Sequence, residues 1–455
     1  MIENNTQLAA TLFQMESFAD TLEGMRRHAQ QTEPSVFAVT SGGFINLLRE
    51  RIAEAKAYVD AIPDVPQSVP PGKGSSDNSN TVSDTVKPKI MSQEALEAFD
   101  QYVQSKELGH RFVGQSDRYQ NHKEKANKYI SEVKNRKNTL STMPDVYFDI
   151  IESPKLEAHA FYSDQYAFIG LNTGTIDLIY DMFYRMMSHP DILPHIGIAS
   201  DENINSEPLF DMVQNSKHLN SPTPIPVDPL RKQVAEILAV LAVNYTVYHE
   251  LAHLRFGHLK YEMSVDKRSN MNEKQQVGTD GNSSLTSQAT EMNADAFATS
   301  EGLGYIFRLS QHYHLLPPPL NQAFAAPREA LIIWFFAIYS LFRLFGEGNY
   351  SLESLEKLPH PPPRVRQMMV IQTVPAWLQR YKPSLDYEDF LDASVVVARL
   401  VEDAVAKITH GIVDTTGIEE AIDEKAIAHV ENLMRHWTEI RPLILPYSHG
   451  EELAL

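Results

Sequence analysis

Between Pro229 and Leu259 the chain reads PLRKQVAEILAVLAVNYTVYHELAHLRFGHL, with apolar residues recurring every three or four positions. Val234, Ile237, Leu238, Leu241, Val247, Leu251 and Leu254 fall on one broad stripe, which predicts a long helix with that stripe inward. The same spacing predicts helices over TIDLIYDMFYRMM (175–187), ATEMNADAFATSEGLGYIF (289–307), and within 367–409 and 418–438. ALIIWFFAIYSLFRLF, from Ala330 to Phe345, is apolar on all sides but shorter than the roughly 20 residues of a membrane span. It predicts a buried core helix. The texture changes in DVYFDIIES (145–153) and EAHAFYSDQYAFIGLNTG (157–174), where aromatic and β-branched residues predict strands joined through a turn at SDQY.

The remaining segments punctuate these elements. Residues 1–62 predict an N-terminal helical region, INLLRERIAEAKAYVDAI being its clearest part. Residues 63–92 are rich in Pro, Gly, Ser, Asn and Asp and predict a flexible linker. Residues 93–140 are helical in pattern and dense in charge, which predicts a solvated helical arm. A domain of mixed strands and helices is expected over 141–380, interrupted by an irregular stretch at 189–229, and a C-terminal helical region over 381–455.

Composition narrows the chemistry. With 43% hydrophobic residues among 455, a sizeable core is available. A formal net charge of −19 argues against nucleic acid or an anionic membrane as the main partner. There is no cysteine, so no disulfide forms, and any metal must be held by His, Asp or Glu. That composition suits a reducing cytosol, and the N-terminus lacks the basic-then-apolar pattern of a signal peptide, so a cytoplasmic location is expected.

HELAH, inside the long helix, carries the candidate chemistry. His249 and His253 are four residues apart, which puts both imidazoles on one helical face where a single ion can bridge them. Glu250 stands beside the first ligand, placed to take a proton from a water that zinc acidifies and to pass it to a leaving amine. A zinc of this kind needs a third protein ligand. EMNADAFA offers Glu291 for that role, with Asp295 one turn on to fix the tautomer of a ligating histidine. Ala294, Ala296 and Ala298 leave room for two helices to approach. His258, five residues after His253, reads as a supporting histidine rather than a ligand.

HELAH followed by E-x-x-x-D resembles a gluzincin zinc metallopeptidase. It is most similar to the HtpX and CAAX-prenyl-endopeptidase group, and closest to the soluble phage-exclusion Lit-type peptidases, since no membrane span is expected. The later HPPPRVR resembles that group's H-P-x-x-x-x-R, matched by His360, Pro361 and Arg366. The resemblance spans roughly 145–375 and implies an α+β fold, a mostly helical zincin-like core with a small β-sheet. It implies one zinc per chain, His360 as donor to the oxyanion, and Arg366 pairing with an active-site carboxylate. It also implies that Ala160, Phe161 and Tyr162 form an edge strand that pairs with extended substrate, although His159 stands where Asn is usual. The function implied is endopeptidase action on a cytosolic protein substrate, of a regulated defence or stress type. A constitutive cytosolic protease would be hazardous and the 63–92 linker permits rearrangement, so restraint by a partner or by the N-terminal region is expected. A non-catalytic zinc-binding scaffold is the alternative.

Overall fold

The computed structural model describes residues 91–450 except 137, 164, 204–222, 267–269, 273–280, 319, 347–351, 383, 384, 386, 416, 417, 419, 421 and 422. Contacts divide the chain into two compact units, Met1–Lys87 and Pro88–Leu455. The expected N-terminal helices (1–62), and the linker (63–92) but for its last two residues, lie outside the described residues. The expected regions 93–140, 141–380 and 381–455 all belong to the second unit.

That unit is α+β and mostly helical. Its sheet has the order β1-β2-β4-β3-β5. The strands are β1 (His110–Arg111), β2 (Val146–Glu152), β3 (Ala158–Ser163), β4 (Tyr166–Asn172) and β5 (Asn270–Asn272). β3 and β4 form the antiparallel hairpin predicted around SDQY, and β2 lies parallel to β4. Each central strand is buried on both faces. One face, bearing Ala158, Ala160, Ile169 and Leu171, enters the main core with the long helix.

The other face is covered by α1 (Gln93–Ser105). Ala95, Ala98, Phe99, Tyr102 and Val103 pack on Tyr147, Ile151, Phe161 and Phe168, and the Tyr102 ring stacks on Phe161 at 3.9 Å. α2 (Asp117–Lys134) runs beside β2, where the Asn127 side chain accepts from the Phe148 amide at 3.0 Å and donates to its carbonyl at 2.9 Å. The segment 93–140 is therefore not a solvated arm. Its charges lie on outward faces, while spaced apolar residues close one face of the sheet and an amide caps its edge.

α3 (Thr173–Met187) leads to a loop that Arg231 organises. This fully buried guanidinium donates to the carbonyls of Met187, His189, Ile192, Leu193 and Ile196. α4 (Pro229–Arg255) begins at an Asp228 N-cap with Pro229 in its first turn. α6 (Gly281–Gln311) packs along it, and fully buried Ala294 and Ala298 lie on α6. Between them comes α5 (His258–Asp266), entered through Gly257 at φ +75, where a Cβ would sit 2.4 Å from the Tyr447 backbone. α7 (Pro327–Leu344) is the predicted core helix, and among the described residues no helix is long and apolar enough to cross a membrane. α8 (Pro363–Tyr381), α9 (Tyr387–Thr409) and α10 (Glu424–Ile444) complete the unit.

Candidate metal centre

The last turns of α4 present His249 and His253 to the same point in the interior. α6 presents Glu291 to it from the facing side, and ligand atoms of all three residues lie within 4.8 Å of one another. His249 Nε2 is 3.1 Å from His253 Nε2 and 3.1 Å from Glu291 Oε2, and His253 Nε2 is 3.3 Å from Glu291 Oε1. His249, His253 and Glu291 are each 1% exposed and Glu250 is 2% exposed.

One turn behind Glu291 on α6, Asp295 Oδ1 is 3.0 Å from His249 Nδ1. An ionised carboxylate only accepts, so Nδ1 carries a proton and Nε2 is the nitrogen that faces the interior, the one a metal would take. Arg366, in the first turn of α8, grips Asp295 with two bonds, Nε to Oδ2 at 2.7 Å and Nη2 to Oδ1 at 2.8 Å. Its guanidinium also lies 5.1 Å from the Phe342 ring centre. Tyr245, one turn before His249, donates to Asp295 Oδ1 at 3.2 Å.

The electrostatics follow from this packing. Burial alone would push the His249 imidazole down, but Glu291 and Asp295 outweigh it and hold it well above the ordinary range. Burial alone would raise Glu291, but His249, His360 and His253 hold its carboxyl well below the usual value. Asp295 is likewise kept low, by Arg366 against burial. The focus of the three groups favours positive charge, and the buried Glu291 Oε2 faces His249 Nε2 at 3.1 Å. This donor set fits a metal ion, and the residues that could hold it are His249, His253 and Glu291.

The remaining sequence-predicted residues are placed as follows. His258 lies behind His253, with Nδ1 3.2 Å from His253 Nδ1 and Nε2 3.1 Å from Asn293 Oδ1. Its ring stands edge-on to Trp437 of α10 at 6.1 Å. His360 precedes α8 and puts Nδ1 3.5 Å from Glu291 Oε1. Ala160, Phe161 and Tyr162 are where the structure departs from expectation. β3 is not an edge strand, because β5 pairs with it antiparallel, Ala160 against Met271 and Phe161 against Asn270. The main-chain groups expected to bind substrate at 160 and 161 face a strand from the segment between α5 and α6, a long-range pairing that no local pattern announces. Phe161 points to the α1 side, and Tyr162 donates to the Leu254 carbonyl at 3.4 Å.

Tyr245, Asn293, Gln288 and His429 were not predicted. Gln288, on α6, donates to the carbonyls of Leu355 and Leu358 at 2.8 and 2.7 Å, just ahead of His360. Its amide oxygen lies 2.7 Å from His429 Nε2 on α10. Tyr245 had a signal in its place four residues before His249, and Asn293 had one in its place between Glu291 and Asp295. Against protein-family models, curated protein sequences and solved structures, the chain shows no match.

Proposed function

We propose that this chain is a zinc-dependent endopeptidase of gluzincin type acting on protein in a reducing, cytosolic setting. The convergence of two histidine Nε2 atoms and a carboxylate carries the reading. Ligands of a tetrahedral zinc at about 2.0–2.1 Å stand about 3.3 Å apart, and the separations here are 3.1, 3.1 and 3.3 Å. One carboxylate and two neutral imidazoles would leave the ion a net positive charge. When bound, zinc would supply Lewis acidity to a water and to the scissile carbonyl.

The chain's own residues would do the rest. Glu250, adjacent to the first ligand and desolvated, takes the proton of the attacking water and returns it to the leaving nitrogen. His360, on the loop beside Glu291, donates to the oxygen that becomes negative in the transition state. Arg366 holds Asp295, which holds the His249 ring.

The burial of Glu250 and all three ligands also favours a second reading, a zinc-binding protein without catalysis or a protease held closed. Metal analysis of the purified chain, then mapping of new protein N-termini in cells expressing wild type or Glu250→Gln, separates them. The peptidase reading expects about one zinc per chain and new termini only with wild type. Zinc-loaded wild type with no new termini, or termini unchanged by Glu250→Gln, sinks it.

A further inference from the structure

To bind a metal, both ligating histidines must turn a bare Nε2 inward, and for His249 a carboxylate at Nδ1 enforces it. At His253 Nδ1 stands another histidine, His258, at 3.2 Å. A hydrogen bond between two imidazole nitrogens has a direction, and that direction decides which nitrogen of His253 is bare. If His258 donates, His253 carries its proton on Nε2 and cannot ligate. If His258 accepts, His253 carries its proton on Nδ1 and can.

The direction is set one residue further out. His258 Nε2 is 3.1 Å from Asn293 Oδ1, an oxygen that only accepts. His258 must therefore hold its proton on Nε2 and present a lone pair at Nδ1, which receives the proton of His253 Nδ1. Asn293 lies on α6 between Glu291 and Asp295, so one helix supplies the third ligand and the outer supports of both histidines. Gly257, at φ +75, makes the bend that brings His258 behind His253.

We infer that Asn293 and His258 are positioning residues that fix His253 as a metal-competent tautomer through a neutral relay, Asn293 to His258 to His253. The inference rests on the metal reading above. The relay leaves His253 uncharged, whereas Asp295 and Arg366 support His249 with a compensated ion pair. Neither support adds net charge.

The test is Zn²⁺ affinity, measured by competition with a chromophoric chelator on the full chain. His258→Gln keeps a carbonyl oxygen that can accept from His253, while losing the ring packed near Trp437 and Phe256. His258→Phe keeps a ring and offers no acceptor. The relay expects Gln to stay within a few-fold of wild type and Phe to lose about 10–100-fold, the usual cost of a missing outer support. A role in packing alone expects the reverse order. Asn293→Leu, which leaves the His258 ring in place, should weaken binding as Phe does and covers the case where His258→Phe fails to fold. Wild type that takes up no Zn²⁺ overturns the metal reading and this inference with it. Wild type that binds, with Phe or Leu equal to it or Gln as weak as Phe, overturns this inference alone.

Discussion

Buried ionisable side chains outside the centre make sharp predictions of their own. His122 is 4% exposed, 3.0 Å from the Tyr180 hydroxyl, and burial pushes its imidazole down to about 4. The folded pKa lies below the unfolded one, so between about pH 4 and 6.5 the unfolded chain binds a proton that the fold excludes. Stability should therefore fall as pH drops through that window, by up to about 3 kcal/mol for this group. Urea unfolding at pH 7 and pH 4.5 measures it, and His122→Gln should flatten the dependence; an unchanged slope refutes the assignment. Arg366 and Asp295, at the centre itself, make a second case. Arg366→Met strands a buried carboxylate at a cost of about 3–5 kcal/mol. Adding Asp295→Asn should recover part of that stability while leaving zinc affinity low. Glu291→Ala should abolish stoichiometric zinc uptake, and a variant that still holds one zinc per chain would remove Glu291 from the ligand set.

Between elements, single side chains decide how helices and loops meet. Arg231 donates to five carbonyls of 187–196 from the start of α4 and so ties that loop to the helix. Arg231→Met should cost more than about 4 kcal/mol, and hydrogen exchange should rise first in that loop. Gln288 ties the loop before His360 to α6 and α10. Gln288→Leu should loosen residues 355–360 to exchange while zinc affinity holds, because no metal ligand depends on it. Loss of zinc in that variant would show that the loop also shapes the ligand set. The helices themselves were legible: the α4 stripe, the α7 apolar run and the E-x-x-x-D helix appear over the residues that predicted them. The hairpin at SDQY did too, because period and turn chemistry are local.

Across the whole unit, the centre is assembled from parts far apart in sequence: α4, α6, the start of α8, and α10 behind His258. Met368, Met369, Ala426 and Val430 join α8 to α10 in one apolar cluster, so the C-terminal helix is part of the fold around the metal centre. What the sequence determined by itself is the local content: helical faces, the core helix, the hairpin, and the pairs His249–His253 and Glu291–Asp295, whose spacing follows from 3.6 residues per turn. Tertiary structure alone decided three other things. It put β5 on the edge of β3, where a substrate strand was expected. It packed the charged 93–134 segment onto the sheet, because half-buried helices keep their charges outward and hide their purpose from a charge count. It also gave His258 a partner in Asn293, since the direction of a hydrogen bond depends on which atom faces which, and no spacing along the chain encodes that.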